Sequence, residues 1–268
     1  MKQTLPRVQL LRFLAVARKA AQKGGQRALK YFGKNIAVLR KVDRSPVTRA
    51  DREAERVIRT VIGKSFPRHQ LCGEEFGWDK AMRSDFKWWI DPVDGTRLFI
   101  RGLPFWGTLV SLEYRGDPVV GVIHHPAAGL TLWAAQGMGC FADSTGSPHA
   151  NGKRVHVSKI KNLRGGTLTY GGMRLTPKAY RRKLTDLIAT CYDDRGFGDC
   201  FGHGFVIMGK TEAMLDPVVK PYDVAAIKIC VEEAGGRFSD LSGKPTIYGG
   251  NALSSNGLVH DKILRAIG

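Results

Sequence analysis

Residues 86–96 constrain the chain more than any other stretch. Phe86-Lys-Trp-Trp-Ile90 is a short apolar run with the composition of a buried strand, and Asp91-Pro92 follows it at once. A proline there is expected to stop the strand and fix a turn, so that Asp91 and Asp94 converge from one tight bend. Gly95 and Thr96 then stand where a helix can begin, with backbone N–H groups suited to phosphate. Two carboxylates beside such amides suggest Mg2+, a hard ion that prefers oxygen ligands and needs few from the protein. Taken alone, the same hexapeptide reads equally well as a capping aspartate and a turn aspartate.

The sequence on either side changes period. Leu10, Leu11, Leu14, Ala17 and Ala21 recur at helical spacing, predicting a long amphipathic helix to Leu29–Phe32 that Gly33 closes. The run continues past the point where a signal peptide would be cut, and Arg12 interrupts it, so a leader is not the reading. Ile36–Val42 is strand-like. Thr48 or Asp51 can cap a second helix that carries Ala54, Val57, Ile58, Val61 and Ile62 on one face and ends at Pro67. Beyond residue 100 the pattern is β-rich, with hairpin signals at Gly107–Tyr114/Val119–His124 and Leu130–Ala135/Cys140–Ala142. Asp143–Lys153 is turn-rich and marks a boundary between lobes 1–150 and 151–268. The second lobe alternates strands (Thr167–Tyr170, Gly236–Asp240) with helices (Thr176–Cys191, Val224–Ala234), as in a mixed α/β unit.

Composition narrows the function classes. The 268 residues are 43% hydrophobic, too apolar for a disordered chain, and no run approaches the roughly 20 apolar residues of a bilayer span. Five cysteines, odd in number and without a C-x-x-C pair, suggest neither a zinc ribbon nor a disulfide framework; they fit reduced thiols in the cytoplasm. The net charge of +18 is uneven. Residues 1–64 hold 17 Lys/Arg against 4 Asp/Glu, which raises the question of an anionic partner. The aromatics are not interleaved with these cations in a stacking pattern, however, so nucleic acid is not the expected partner.

The acids form a constellation over separated stretches: Gly73-Glu74-Glu75, Asp91-Pro-Val-Asp94-Gly-Thr96 and Pro221-Tyr-Asp223-Val-Ala-Ala226. With Val47-Thr-Arg-Ala-Asp51 upstream and Gly137-Met-Gly-Cys-Phe141 between, the chain resembles the inositol monophosphatase family of Mg2+-dependent, lithium-sensitive phosphatases. The five motifs occur in the family's order across residues 47–226. Tyr222 departs from the tryptophan more usual before the aspartate. After Asp-Gly-Thr, Arg97-Leu-Phe-Ile100 departs from the asparagine-phenylalanine of inositol phosphatases. Leu98 departs from the pattern of phosphatases acting on 3′-phosphoadenosine 5′-phosphate. The run from Asp94 to Val110 and Arg195-Gly-Phe-Gly-Asp-Cys200 are similar to the histidinol-phosphate phosphatase branch.

The resemblance implies a layered α-β-α-β-α sandwich, a homodimer, and two or three Mg2+ ions per active site. Glu74, Asp91 and the Val93 carbonyl would hold one ion; Asp91, Asp94 and Asp223 would hold a second, while Glu75 matches the motif outside both sets. Asp51 and Thr96 would orient the attacking water and take its proton, with Glu74 beside them, and Gly95 and Thr96 would receive phosphate. Asp199 and Asp216 would meet the organic half of a small phosphorylated metabolite. Arg195 and Arg97 are candidates for phosphate or for the surface, the latter reading being favoured for Arg97.

Several lookalikes fall away. Gly137-Met-Gly-Cys-Phe-Ala142 has the spacing of a dinucleotide fingerprint but lacks the helix that mechanism requires. His124 and His125 are adjacent on a strand and point to opposite faces, which disfavours a metal pair. Trp88, Trp89 and Trp106 read as core.

Overall fold

The computed structural model describes residues 5–35, 37–40, 46–78, 84–145 and 151–268. Two sheets alternate with three pairs of helices. Helices α1 (Arg7–Leu29) and α2 (Arg49–Ser65) form the first layer. Of the apolar positions expected on α1, Leu10, Leu14, Ala17 and Ala21 are buried, while Leu11 is 45% exposed. On α2 the stripe narrows to Ala54, Ile58 and Ile62, with Val57 and Val61 half-buried.

The first sheet contains β3 (Gln70–Gly73), β4 (Gly77–Trp78), β5 (Phe86–Asp94), β6 (Gly107–Tyr114), β7 (Asp117–His125), β8 (Leu130–Ala135), β9 (Cys140–Asp143) and β10 (Lys153–Val155). Its order is β10-β9-β8-β7-β6-β5-β3-β4, antiparallel except where β3 runs parallel to β5. A small ladder, β1 (Val38–Arg40) with β2 (Pro46–Thr48), leads into α2. The strand anticipated over Ile36–Val42 is seen at 38–40; residues 36, 41 and 42 lie outside the described residues. β6 and β7 are buried along nearly their whole length, as strands covered on both faces must be.

One face of this sheet packs on α1 and α2 through Phe13, Ile58, Trp88 and Val122. The other packs on α5 (Asp199–Ile207) and α6 (Pro221–Glu233) through Trp89, Ile123, Phe201 and Ile229. A second sheet, in the order β12-β11-β13-β15-β14, lies beyond α5 and α6. It comprises β11 (Thr167–Tyr170), β12 (Asp193–Arg195), β13 (Ala213–Asp216), β14 (Arg237–Ser239) and β15 (Ala252–Ser255). Its outer face is closed by α4 (Lys178–Ile188) and α7 (His260–Ile267) through Leu168, Leu184, Leu253 and Ile263. The architecture is the α-β-α-β-α sandwich anticipated. The turn-rich stretch Asp143–Lys153 falls between β9 and β10, which pair with each other (Lys153 opposite Ala142); residues 146–150 are outside the described set. The second sheet begins at Thr167.

Pro92 does not end its strand. β5 continues to Asp94 because the register against β6 shifts between Asp91 and Asp94, an irregularity that accommodates a residue without an N–H. The Pro92 carbonyl instead accepts the Thr108 hydroxyl at 2.8 Å. The histidines behave as strand alternation requires. His124 Nδ1 meets Thr131 Oγ1 at 2.9 Å, while His125 Nδ1 lies 3.2 Å from the Trp106 carbonyl beside Phe201 of α5. Burial lowers their pKa values to about 4 and about 3, so both are neutral at pH 7. Gly137 and Gly139 introduce β9 rather than a helix, and their N–H groups donate to the Glu233 carboxylate at the end of α6, each at 2.7 Å.

Candidate metal and phosphate site

Four helix N-termini and the ends of three strands converge on one place. α2 contributes Asp51, α5 contributes Asp199 and α6 contributes Asp223. The short helix α3 (Thr96–Ile100) starts at Thr96. β5 delivers Asp91 and Asp94, the turn after β3 delivers Glu74, and β13 ends at Asp216. Positive helix ends gathered around one point favour anions there, protein carboxylates and phosphate alike.

Local sequence explains each placement. Thr48 is the N-cap of α2: its hydroxyl accepts the Ala50 N–H at 3.1 Å, and Asp51 Oδ2 accepts the Thr48 N–H at 2.8 Å and the Thr48 hydroxyl at 2.6 Å, a capping box. The other Asp51 oxygen faces the Thr96 hydroxyl at 3.4 Å, and that hydroxyl donates to the Val93 carbonyl at 2.9 Å. Gly95 has φ +84°, and a Cβ there would press on the Phe105 carbonyl at 3.0 Å, so glycine alone suits the turn from β5 into α3. On α6, Pro221 occupies the first turn and Asp223 accepts the Lys220 N–H at 2.7 Å. Asp199 adopts φ +56°, uncommon for a residue with a side chain, and the next N–H, from Cys200, donates to Asp94 at 2.6 Å.

Asp91, Asp94 and Asp223 each bring a carboxylate oxygen within 4.8 Å of the other two. Asp91 and Asp94 are 2% and 8% exposed. No ion pair reaches any of the three among the described residues. Burial first, and then the charges of Glu74, Asp94 and Asp223, holds Asp91 well above the usual carboxylate range. Asp94 is raised for the same reason, with Asp199 and Asp223 as its charged neighbours. Burial pushes Asp223 up to about 7 and Asp51 to about 6; the Thr48 hydrogen bonds oppose the rise at Asp51, and the Glu74 charge adds to it. This is the pattern of carboxylates crowded without a counter-charge. An all-oxygen donor set of this kind fits a hard divalent cation.

The structure thus gathers Asp51, Glu74, Asp91, Asp94, Gly95, Thr96 and Asp223. Asp199 and Asp216 adjoin them: with Asp94, Asp223 and His203 they line a cavity of about 30 Å3, room for one water. A roomier cavity, about 460 Å3 among Leu163, Lys183, Leu187 and Lys262, opens between the outer helices α4 and α7 and contains none of these groups. Arg195 is not brought in. It is exposed on β12, with its guanidinium bonded to the Asp193 carboxylate and the Asp194 carbonyl. Arg97 is also exposed, on α3, and its charge acts on Asp199. Glu75 turns its N–H to Glu55 at 2.7 Å.

A family model described as the inositol monophosphatase family matches residues 9–267. The chain belongs to the inositol monophosphatase family. Among curated relatives, the histidinol-phosphatase of Chlorobaculum parvum is 37% identical, the match covering 95% of this chain and 96% of that protein. The histidinol-phosphatase of Mycobacterium tuberculosis is also 37% identical, over 84% of this chain and 85% of that one. Among solved structures, the inositol monophosphatase of Anabaena (Nostoc) sp. PCC 7120 superposes with a TM-score of 0.83 at 28% identity, covering 96% of each chain.

The sequence motifs assign no role to four residues that serve the site: Cys200, His203, Glu55 and Arg59. The Cys200 N–H reaches Asp94 across 106 positions, which only the packing of α5 on the first sheet creates. His203, one turn into α5, lines the small cavity. Glu55 and its partner Arg59 hold the Glu74 turn. Their signal was present in the sequence as Asp51, Glu55 and Arg59, spaced four apart on one helical face.

Proposed function

We propose that this member of the family is a Mg2+-dependent histidinol-phosphate phosphatase, hydrolysing L-histidinol phosphate to L-histidinol and phosphate. The observation that carries the phosphatase reading is the cluster of buried Asp91 and Asp94 with half-buried Asp223, unmatched by any cationic side chain among the described residues and ringed by helix N-termini. The choice of substrate is supported by the two histidinol-phosphatases at 37% identity and by the carboxylates beside the cluster.

Glu74, Asp91 and the Val93 carbonyl would hold one Mg2+, and Asp91, Asp94 and Asp223 another. The Val93 oxygen already accepts one hydrogen bond and keeps a second lone pair. Bound Mg2+ supplies Lewis acidity, lowering the pKa of water and stabilising the leaving oxygen. Asp51 and Thr96 do the proton work. The Thr96 hydroxyl donates to the Val93 carbonyl, so its own lone pairs can orient a water. The Asp51 oxygen beyond it, raised to about 6, is a base near neutrality. The first-turn N–H groups at Gly95 and Thr96 have no carbonyl one turn back to bond, and they can receive a phosphate oxygen. The nucleophile is water, so no phosphoenzyme forms.

Asp199 and Asp216 supply negative charge next to the cluster, where the ammonium of histidinol phosphate gains most from it. The neutral hydroxyls of an inositol would hydrogen-bond to the same acids. Phosphate release with Mg2+ should therefore be measured across histidinol phosphate, inositol monophosphate, 3′-phosphoadenosine 5′-phosphate and AMP. Histidinol phosphate is expected to give the highest kcat/KM, and Asp216→Ala to raise its KM more than that of inositol monophosphate. Equal turnover of all four would remove the histidinol assignment. No release from any of them would remove the enzyme reading.

A further inference from the structure

The turn that carries Glu74 is held by a carboxylate outside the cluster. Glu55 lies on α2, one turn beyond Asp51, and is fully buried. Its Oε2 accepts the Glu75 N–H at 2.7 Å, and its Oε1 accepts the Phe76 N–H at 3.3 Å. Arg59 completes the arrangement: its Nε donates to Glu55 Oε1 at 2.7 Å, and its Nη2 donates to the Gly77 carbonyl at 2.5 Å. The four residues from Glu74 to Gly77 are thereby tied at three points to two side chains of one helix. Gly73 belongs to the same device, because a Cβ on it would collide with the Glu55 carboxylate. On the other side of the turn, the Glu74 N–H is fixed to the Ile90 carbonyl of β5, one residue before Asp91.

This arrangement has no equivalent need in the fold. β3 and β4 already pair through Cys72–Trp78 and Gly73–Gly77, and two such short strands can close with an ordinary exposed turn. Here a buried carboxylate and a guanidinium are spent on orienting N–H groups adjacent to Glu74. An arrangement that costs desolvation and holds a proposed ligand's backbone is characteristic of the outer groups around a metal. It also makes α2 a common reference: Asp51 and Glu55, four residues apart, fix the water-facing and Glu74-facing sides of the site to one rigid rod.

We propose that Glu55, held in place by Arg59, is a positioning residue that sets the divalent-metal affinity of the site by fixing the Glu74 turn against Asp91. The inference rests on the metal-dependent reading above. Glu55→Gln retains one acceptor but turns an NH2 group towards a backbone or guanidinium donor, and Arg59→Met removes the tie to Gly77.

The test is titration of metal-free protein with Mn2+, counting free ion by electron paramagnetic resonance, alongside the Mg2+ midpoint of phosphate release. Both variants are expected to weaken metal binding by about tenfold or more. Their kcat at saturating Mg2+ should stay within about threefold of the parent, since no reacting atom is touched. Ile58→Val, on the same helix but facing α1, is the control: it should lower Tm without moving either midpoint. If Glu55→Gln fails to fold, Arg59→Met, whose side chain is partly exposed, decides the matter. Parent-like Mn2+ affinity in a folded variant would overturn the proposal, as would loss of kcat with an unchanged midpoint. If the unaltered protein itself binds no Mn2+, the metal-dependent reading fails, which is a distinct result.

Discussion

Glu53 and Asp94 are both carboxylates next to helix starts, and their surroundings are opposite. Glu53 accepts the Tyr31 hydroxyl at 2.6 Å and Arg49 Nε at 2.6 Å, with Arg27 at 2.7 Å. Those hydrogen bonds from Tyr31 and Arg49 draw its pKa down to about 2. Among the described residues, Asp94 takes hydrogen bonds only from the N–H and thiol of Cys200, and burial together with the neighbouring carboxylates pushes it up. Glu113 is likewise surrounded by donors: Lys87, Trp89 Nε1 at 2.8 Å and the Tyr248 hydroxyl at 2.5 Å. Carboxylates that hold the fold are provided with donors by the chain. Those at the convergence of helices are provided with each other, and the charge that would balance them must come from outside.

The excess of basic residues belongs to the other side of this contrast. Lys19, Lys23, Arg56 and Lys64 line a groove on the outer face of α1 and α2, whereas the acid cluster has no cationic partner among the described residues. The +18 is therefore a property of the surface rather than a neutraliser of the site.

The contrast can be broken at its strongest point first. Asp94→Asn keeps the shape and the Cys200 N–H bond but removes one charge from the cluster. Activity is expected to fall about a thousandfold, several kcal/mol of barrier, with Tm unchanged or raised. Near-normal turnover would remove Asp94 from the metal set. A second effect is that protons should compete with metal. The folded protein holds protons on Asp223 up to about pH 7, far above the ordinary value of 3.8, so cation binding must displace them as pH falls. Mg2+ affinity is expected to be about tenfold weaker at pH 6 than at pH 8, read by calorimetry with proton release in buffers of differing ionisation heat. A flat affinity over that range would mean the cluster is already ionised.

The smallest effect belongs to the satisfied carboxylate. Glu53→Gln breaks partly exposed pairs with Arg49 and Arg27, and should lower Tm only slightly with no change in Mg2+ midpoint. A shifted midpoint would show that the two classes of carboxylate are coupled.

How much of this could be read in the sequence depends on distance along the chain. The first helix, the Thr48–Asp51 cap and the turn at Gly95 into a helix starting at Thr96 are local chemistry, and they stand in the structure as the residues suggest. Pro92 misled because a register shift lets β5 pass through it, and that shift depends on β6 opposite. Short buried strands such as Ala213–Asp216 and Ala252–Ser255 carry no period by which to separate them from helix. The Cys200–Asp94 and Glu55–Glu75 bonds join segments that only packing brings together; the spacing of Asp51, Glu55 and Arg59 puts Glu55 on the site-facing side of its helix, but does not give its partner. For Arg195, which its motif leaves open between phosphate and the surface, the structure shows a local pair with Asp193 two residues earlier.

The most direct test of the contrast is a calorimetric titration of Mg2+ into metal-free protein at pH 8, repeated with Asp94→Asn and Glu53→Gln. A saturable isotherm is expected for the parent and for Glu53→Gln, accompanied by a rise in Tm, and both should be lost in Asp94→Asn. Absence of saturable binding in the parent, or undiminished binding in Asp94→Asn, would contradict the assignment of these unpaired carboxylates to a metal.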